Sequence, residues 1–291
     1  MFTATLIGDA LAAGDISAAV DRLAMAGCIP GEGRWLEHGV AADLSFAADP
    51  AAARQALEGA FAGTDVVVQA TATRRKALIV ADMDSTMITV ECIDELADYA
   101  GIKAEVAAVT EAAMRGELDF EGALDARVAL LQGLRESVIA QCLAERVHIM
   151  PGARALVRTM RANGAQAVLV SGGFTRFAEP VAADIGFDRA IANVLLIEDG
   201  RLTGRVAKPI VGSATKEETL LATIAVQGID PVLSLAVGDG ANDLAMIRRA
   251  GLGVAYHAKP IVAAAAAARV DHGDLSALLY AQGYTRAEWV A

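Results

Sequence analysis

The run Ala77-Leu78-Ile79-Val80-Ala81 is apolar at every position and stops at Asp82-Met83-Asp84-Ser85-Thr86. A strand with one face in water alternates polar and apolar residues, whereas a strand covered on both faces is apolar throughout, as in parallel sheets sandwiched between helices. The same punctuation recurs twice. Gln166-Ala-Val-Leu-Val170 gives way to Ser171-Gly172-Gly173, and Leu233-Ser-Leu-Ala-Val237 to Gly238-Asp239-Gly240-Ala241-Asn242-Asp243. Helix-length segments separate the three runs, which predicts an α/β fold with a Rossmann-like, doubly wound parallel sheet. Ligands bind such sheets beyond the carboxyl ends of the strands, so these polar clusters are expected to share one crevice.

Working outward, residues 73–291 are assigned to this core. Between Met87 and Met150 there is no strand-like run, only amphipathic helical stretches at Ile93–Tyr99, Ala104–Met114 and Phe120–Leu131. Inserted after the first strand, they predict a helical cap at about 88–148 standing over the crevice. Asp199-Gly200 between two β-rich arms predicts a type I′ hairpin, and Ala263–Ala268 reads as a packed helix, alanine being the best helix former. Residues 1–72 follow a different rhythm of strand, helix, strand, strand, helix, strand. Thr3–Ile7 and Val66–Gln69 are β-rich, Ile16–Ala26 and Ala51–Phe61 have helical spacing, and Gly31-Glu32-Gly33 and Asp49-Pro50 act as breaks. This predicts a separate α+β domain, joined through the basic stretch Thr71–Lys76.

Of 291 residues, 55% are hydrophobic, yet no apolar run nears the roughly 18 residues needed to cross a bilayer. The start, Met1–Asp9, lacks a basic leader and a small-residue cleavage pattern. Cys28, Cys92 and Cys142 are widely spaced and lack any metal-ligand pattern, and the four histidines have no partner pattern; reduced thiols in a cytoplasmic protein are the expectation. A formal charge of −11, from 36 acidic and 25 basic side chains, repels phosphate backbones and argues against nucleic acid as a partner, as the lack of a long apolar run argues against a membrane. A small phosphorylated substrate would then need cations placed locally.

Asp82 and Asp84 at i and i+2 after a buried strand can supply one attacking carboxylate and one proton carrier. Taken alone, such a pair equally suits a solvated acidic loop. Asp239 and Asp243 add two more acids, and like charges gathered in a low-dielectric crevice repel by several kcal/mol. A divalent cation resolves the repulsion; all-oxygen donors select a hard ion, and phosphate chemistry favours Mg²⁺. Ser171-Gly172-Gly173 offers a hydroxyl and successive N–H groups at a helix opening, suited to phosphate oxygens or to an ordinary N-cap. Lys216, following Thr215 in a Thr-x-x-Glu capping box with Glu218, sits in a first turn where the helix dipole disfavours a cation. Phosphate contact would compensate; a solvated lysine is the simpler alternative.

The order Asp-x-Asp-Ser-Thr, Ser-Gly-Gly, Lys, Gly-Asp-Gly-Ala-Asn-Asp, within the strings DMDSTMITVECIDELA, VSGGFTRF and AVGDGANDLAMIRRAG, resembles the haloacid dehalogenase superfamily over Ala77 to about Leu279. Within it, the chain is similar to the branch acting on O-phospho-L-serine. The resemblance implies a Mg²⁺-dependent hydrolysis yielding serine and phosphate, the last step of serine biosynthesis, with Asp82 as nucleophile and Asp84 as acid and base. It implies metal ligation by Asp82, Asp239 and the Asp84 carbonyl, with Asp243 supporting. Ser171, Gly172, Lys216 and Asn242 would hold the phosphoryl group, Glu91 the ammonium and Arg127 the carboxylate, with Met114 and Phe120 forming an apolar wall. The first seventy residues match only the layout of a ferredoxin-like, ACT-type region, for which dimerisation is one candidate role. Phosphotransfer to another alcohol such as homoserine, a broader small-metabolite phosphatase, and a non-catalytic amino-acid sensor are the alternatives.

Overall fold

A computed structural model describes residues 1–115 and 117–291, the side chain of Met114 excepted. The first seventy residues form β1 (Phe2–Ile7), α1 (Ala13–Met25), β2 (Pro30–Glu37), β3 (Ala41–Phe46), α2 (Pro50–Leu57) and β4 (Asp65–Ala70). The strands make an antiparallel sheet in the order β2-β3-β1-β4, the ferredoxin-like arrangement. Alternation along the strands covers both faces. Ala4, Leu6, Leu44 and Phe46 pack with Leu23 of α1 and Leu57 of α2, whereas Ile7, Leu36, Ala41 and Val67 join the main core. The expected break at Gly31-Glu32-Gly33 instead lies inside β2. The register slips between Pro30 and Gly33, and glycines at such an irregularity bend a strand without ending it.

From Leu78 the chain builds β5 (Leu78–Ala81), then the inserted helices α3 (Cys92–Ala100), α4 (Lys103–Met114), α5 (Phe120–Leu130) and α6 (Ser137–Glu145). It continues through α7 (Ala153–Ala162), β6 (Gln166–Phe174), α8 (Thr175–Ile185), β7 (Arg189–Asn193), the hairpin β8 (Leu195–Glu198) and β9 (Arg201–Val206), and α9 (Ser213–Gln227). Last come β10 (Ser234–Gly238), α10 (Leu244–Arg249), β11 (Leu252–Tyr256), α11 (Pro260–Ala265), β12 (Ala268–Val270) and α12 (Ala277–Ala281). Six strands form one parallel sheet ordered β12-β11-β10-β5-β6-β7. On β5, Ile79 and Ala81 enter one apolar cluster and Leu78 and Val80 the other, which is why the run is apolar throughout. Asp199 and Gly200 both have positive φ, +50° and +71°, as a type I′ turn requires. No described helix is long and apolar enough to cross a membrane.

The helical reading of Ala263–Ala268 is corrected: α11 stops at Ala265, and Ala268 opens β12, pairing with Val254. Sheet-edge pairing overrides alanine's propensity there. The basic stretch is docked rather than loose. Arg74 Nη1 pairs with Asp43 at 2.8 Å, Arg75 lies over the Tyr284 ring, and Lys76 Nζ donates to the Thr73 and Val232 carbonyls.

One buried carboxylate joins the end of the first sheet to the segment after β12. Asp65, 3% exposed, accepts from the backbone N–H groups of Asp271 (2.8 Å), His272 (3.2 Å) and Gly273 (2.8 Å). Asp65→Ala would strand these donors, and we expect urea unfolding to report a loss of about 2–4 kcal/mol. A loss below about 0.5 kcal/mol would mean that water replaces the carboxylate.

Candidate active site

β10, β5 and β6 are neighbours, so Asp239, Asp82 and Gly172 emerge side by side at one sheet edge. Asp82 Oδ1 accepts from Met83 N at 2.8 Å and pairs with Lys216 Nζ at 2.6 Å; the same ammonium pairs with Asp243 Oδ1 at 2.6 Å. Asp243 Oδ2 accepts from Gly240 N (3.0 Å), and Asp239 Oδ1 from Thr86 Oγ1 (3.2 Å). Carboxylate oxygens of Asp82, Asp239 and Asp243 all lie within 4.8 Å of one another.

Lys216 has no solvent exposure at all. Burial disfavours its charge, but the Asp82 and Asp243 carboxylates outweigh that and hold its pKa above the ordinary value. The expected Thr215/Glu218 capping box is not formed: α9 starts at Ser213 with Gly212 as N-cap, so Thr215 lies inside the first turn. The helix start is set by Val211, whose N–H and carbonyl are both held by the Asn193 amide. Lys216 therefore reaches inward, and its two carboxylates offset the dipole. Asn193, unremarkable in sequence at the end of a strand, also donates to the Gly172 carbonyl at 2.8 Å and so clips two site loops together.

Even with this cation, negative charge is in excess. Burial, then Glu91, raises the Asp84 carboxyl to about 8. Burial, then Asp82, raises Asp243 to about 7 and Asp239 to about 6. Each folded-state value exceeds the unfolded one, so the folded chain retains protons that the unfolded chain releases. The stabilisation is complete below the ordinary carboxylate range and is lost as pH rises through about 6 to 8. The metal-free protein should therefore melt roughly 5 °C lower at about pH 8 than at about pH 5.5, with added Mg²⁺ reversing most of the difference. A flat melting profile would show that the cluster is not electrostatically frustrated. Glu288, held down to about 2 first by the Thr285 backbone N–H, acts below this window.

Above these acids lies a cavity of about 490 Å³, bounded on the core side by Asp82, Asp84, Gly172, Asp239 and Asn242 and on the cap side by Glu91, Leu124 and Arg127, in the range of small-molecule sites. Arg127 gives its Nε to the Ala123 carbonyl, and among the described residues no carboxylate lies within ion-pair distance of it. Ser85 adopts φ +55°, unusual for a side-chain-bearing residue, and donates to Glu91 Oε1 at 2.7 Å. Asp84 Oδ1 accepts from Cys92 N at 3.2 Å. Ser171 is fully buried, and its hydroxyl accepts from Gly173 N at 2.8 Å. The Ser-Gly-Gly segment ends β6 and not a helix opening, since α8 begins at Thr175. Phe120, expected in the apolar wall, is 38% exposed and packs against Gly172 and Gly212, outside the set of residues that line the cavity. Met114 ends α4, and its side chain lies outside the described residues. Lys259 also lines the cavity, a cation that no motif flagged because it belongs to a loop joined to the site only by the fold. Cys92 is buried beside Asp84, and desolvation pushes its thiol well above the ordinary range, which leaves it unreactive.

Opposed carboxylates at adjacent parallel strand ends, under a helical insertion, define a class. The chain belongs to the haloacid dehalogenase-like hydrolases, whose family profile matches residues 79–248. More particularly, it is similar to phosphoserine phosphatases. It is 52% identical to that of Albidiferax ferrireducens over 207 residues, 69% of this chain and 87% of the relative. It is 48% identical to that of Streptomyces coelicolor over 242 residues, 82% of this chain but only 59% of that longer protein. The crystal structure of a probable phosphoserine phosphatase from Vibrio cholerae superposes with a TM-score of 0.80 at 34% identity, covering 98% of this chain and 88% of that one. Phosphatases of this family generally use a metal ion, and Asp82, Asp239 and Asp243 form the acidic cluster suited to one.

Proposed function

We propose that this chain is a cytoplasmic, Mg²⁺-dependent phosphoserine phosphatase, converting O-phospho-L-serine and water to L-serine and phosphate. The observation that carries the reading is a division of labour between two carboxyls in one cavity. Asp82 is paired with Lys216 through Oδ1, leaving Oδ2 for attack, and burial, then Glu91, hold the Asp84 carboxyl above the ordinary carboxylate range, which favours its protonated form. Three buried, unpaired cysteines agree with a reducing compartment.

In this mechanism Asp82 Oδ2 forms a bond to phosphorus as the bond from phosphorus to the serine oxygen breaks, and Asp84 gives its proton to that oxygen. Asp84, now a carboxylate, takes a proton from water; the water oxygen bonds to phosphorus, and the acyl phosphate P–O bond breaks to restore Asp82. Ser171, Gly172 and Lys216 meet charge on the phosphoryl oxygens, with Asn242 nearby on the cavity wall. Asp82, Asp239 and the Asp84 carbonyl would hold Mg²⁺, with Asp243 behind them; when bound it neutralises charge on the acids and phosphate. Glu91 receives the α-ammonium and Arg127 the α-carboxylate, their positions on the cap side leaving the phosphate end to the core.

The discriminating experiment compares phosphoserine with analogues lacking the amine or the carboxylate. Each loss should lower kcat/KM by about 10²-fold, and Glu91→Gln should erase the preference for the amine as Arg127→Met erases that for the carboxylate. Indifference of the native protein to both losses would make it a general small-metabolite phosphatase.

A further inference from the structure

The cap helix α5 is seated on the core along a seam that recurs every four residues of the segment leading from β9 to α9. Gly204, at φ +77°, lets α5 approach so closely that an added Cβ would lie 3.3 Å from the Ala129 backbone and 3.0 Å from Gln132 Cβ. Lys208 Nζ pairs with Asp125 at 2.9 Å. Gly212 meets the Phe120 ring, where an added Cβ would stand 3.1 Å from Cε1 and 3.2 Å from Cδ1. Gly172 meets the same ring near its tip, where an added Cβ would lie 3.2 Å from Cζ and 3.8 Å from Cε2. The ring thus packs against two bare backbones on different core elements, and Asn193 fixes both, donating to the Gly172 and Val211 carbonyls and accepting from Val211 N.

Gly212 has φ −138° and ψ −158°, extended values open to any residue. Among the described residues, chain neighbours aside, the three atoms nearest its missing Cβ all belong to the Phe120 ring, at 3.1, 3.2 and 4.0 Å. Its glycine identity thus answers to the cap and not to the chain's own conformation. We propose that Gly212 is a positioning residue, its absent side chain setting how closely the start of α5 seats against Gly172 and thereby closing the cap over the substrate. This rests on the phosphatase reading above and adds to it a determinant outside the reacting groups.

Gly212→Val, with Gly212→Ala as the conservative version, should be made in the full chain alone and with Phe120→Leu. Amide hydrogen exchange over residues 117–124 should rise about tenfold in Gly212→Val, with the global melting point nearly unchanged. KM for phosphoserine should rise about fivefold and kcat change less. In the double variant the two losses should not multiply, since leucine vacates the space that valine fills. Native exchange and KM in both glycine variants, or losses that multiply, would overturn the proposal. Absence of phosphoserine turnover in the native protein would instead reject the functional reading, and the exchange experiment would still decide whether Gly212 seats the cap.

Discussion

Asp82→Asn will lower phosphate release from phosphoserine by about 10⁴-fold or more while leaving the protein folded. The amide oxygen can still accept from Met83 N, now held by Asp82 Oδ1 at 2.8 Å, but an amide cannot form and release an acyl phosphate. Stability should change little, because relief of the repulsion that raises Asp239 and Asp243 offsets loss of the Asp82–Lys216 ion pair, and Lys216 keeps Asp243 as a partner. A phosphate-release assay with Mg²⁺ alongside thermal melting checks both halves. Native-scale turnover in the variant would place the nucleophile elsewhere.

Lys216→Met has the opposite profile, damaging both activity and fold. The methionine keeps the volume of a fully buried side chain but leaves Asp82 and Asp243, each 2.6 Å from the ammonium, facing one another without a cation. Removing one partner of a buried ion cluster costs about 3–5 kcal/mol, in contrast to the near-neutral replacement of a whole cluster. Loss of a preplaced cation at the phosphoryl oxygens should cost a further 10²- to 10³-fold or so in kcat. Lys216→Met combined with Asp243→Asn should recover part of the stability and none of the activity, which separates the two roles. A single variant as stable as the native chain would show that the ammonium is not what neutralises these acids.

The sheet is legible because burial on both faces leaves a signature in composition: three apolar runs, each stopped by a polar cluster, mark β5, β6 and β10 in the sequence alone. The acids were legible for the same reason, since they occupy the stops. What resisted reading was whatever depends on segments meeting. Asn193 and Lys259 carry no local pattern, as their partners lie across the crevice. The start of α9 was misplaced because a Thr-x-x-Glu sequence is a local preference, and the tertiary clip on Val211 overruled it. Ala268 was drawn into a helix by propensity and into a strand by Val254. Asp65 reads as an ordinary acid at a strand start, and only the fold supplies its three backbone donors.

The ferredoxin-like sheet has no bare side: Leu6 and Phe46 are roofed by its own helices, and Ile7 and Val67 are pressed into the cluster that holds Leu278 and Tyr280. It is a party wall rather than an appendage. A catalytic fragment cut after Ala70 would uncover greasy masonry on its remaining half, and such a fragment would stay dispersed only if that surface were first repainted with polar side chains.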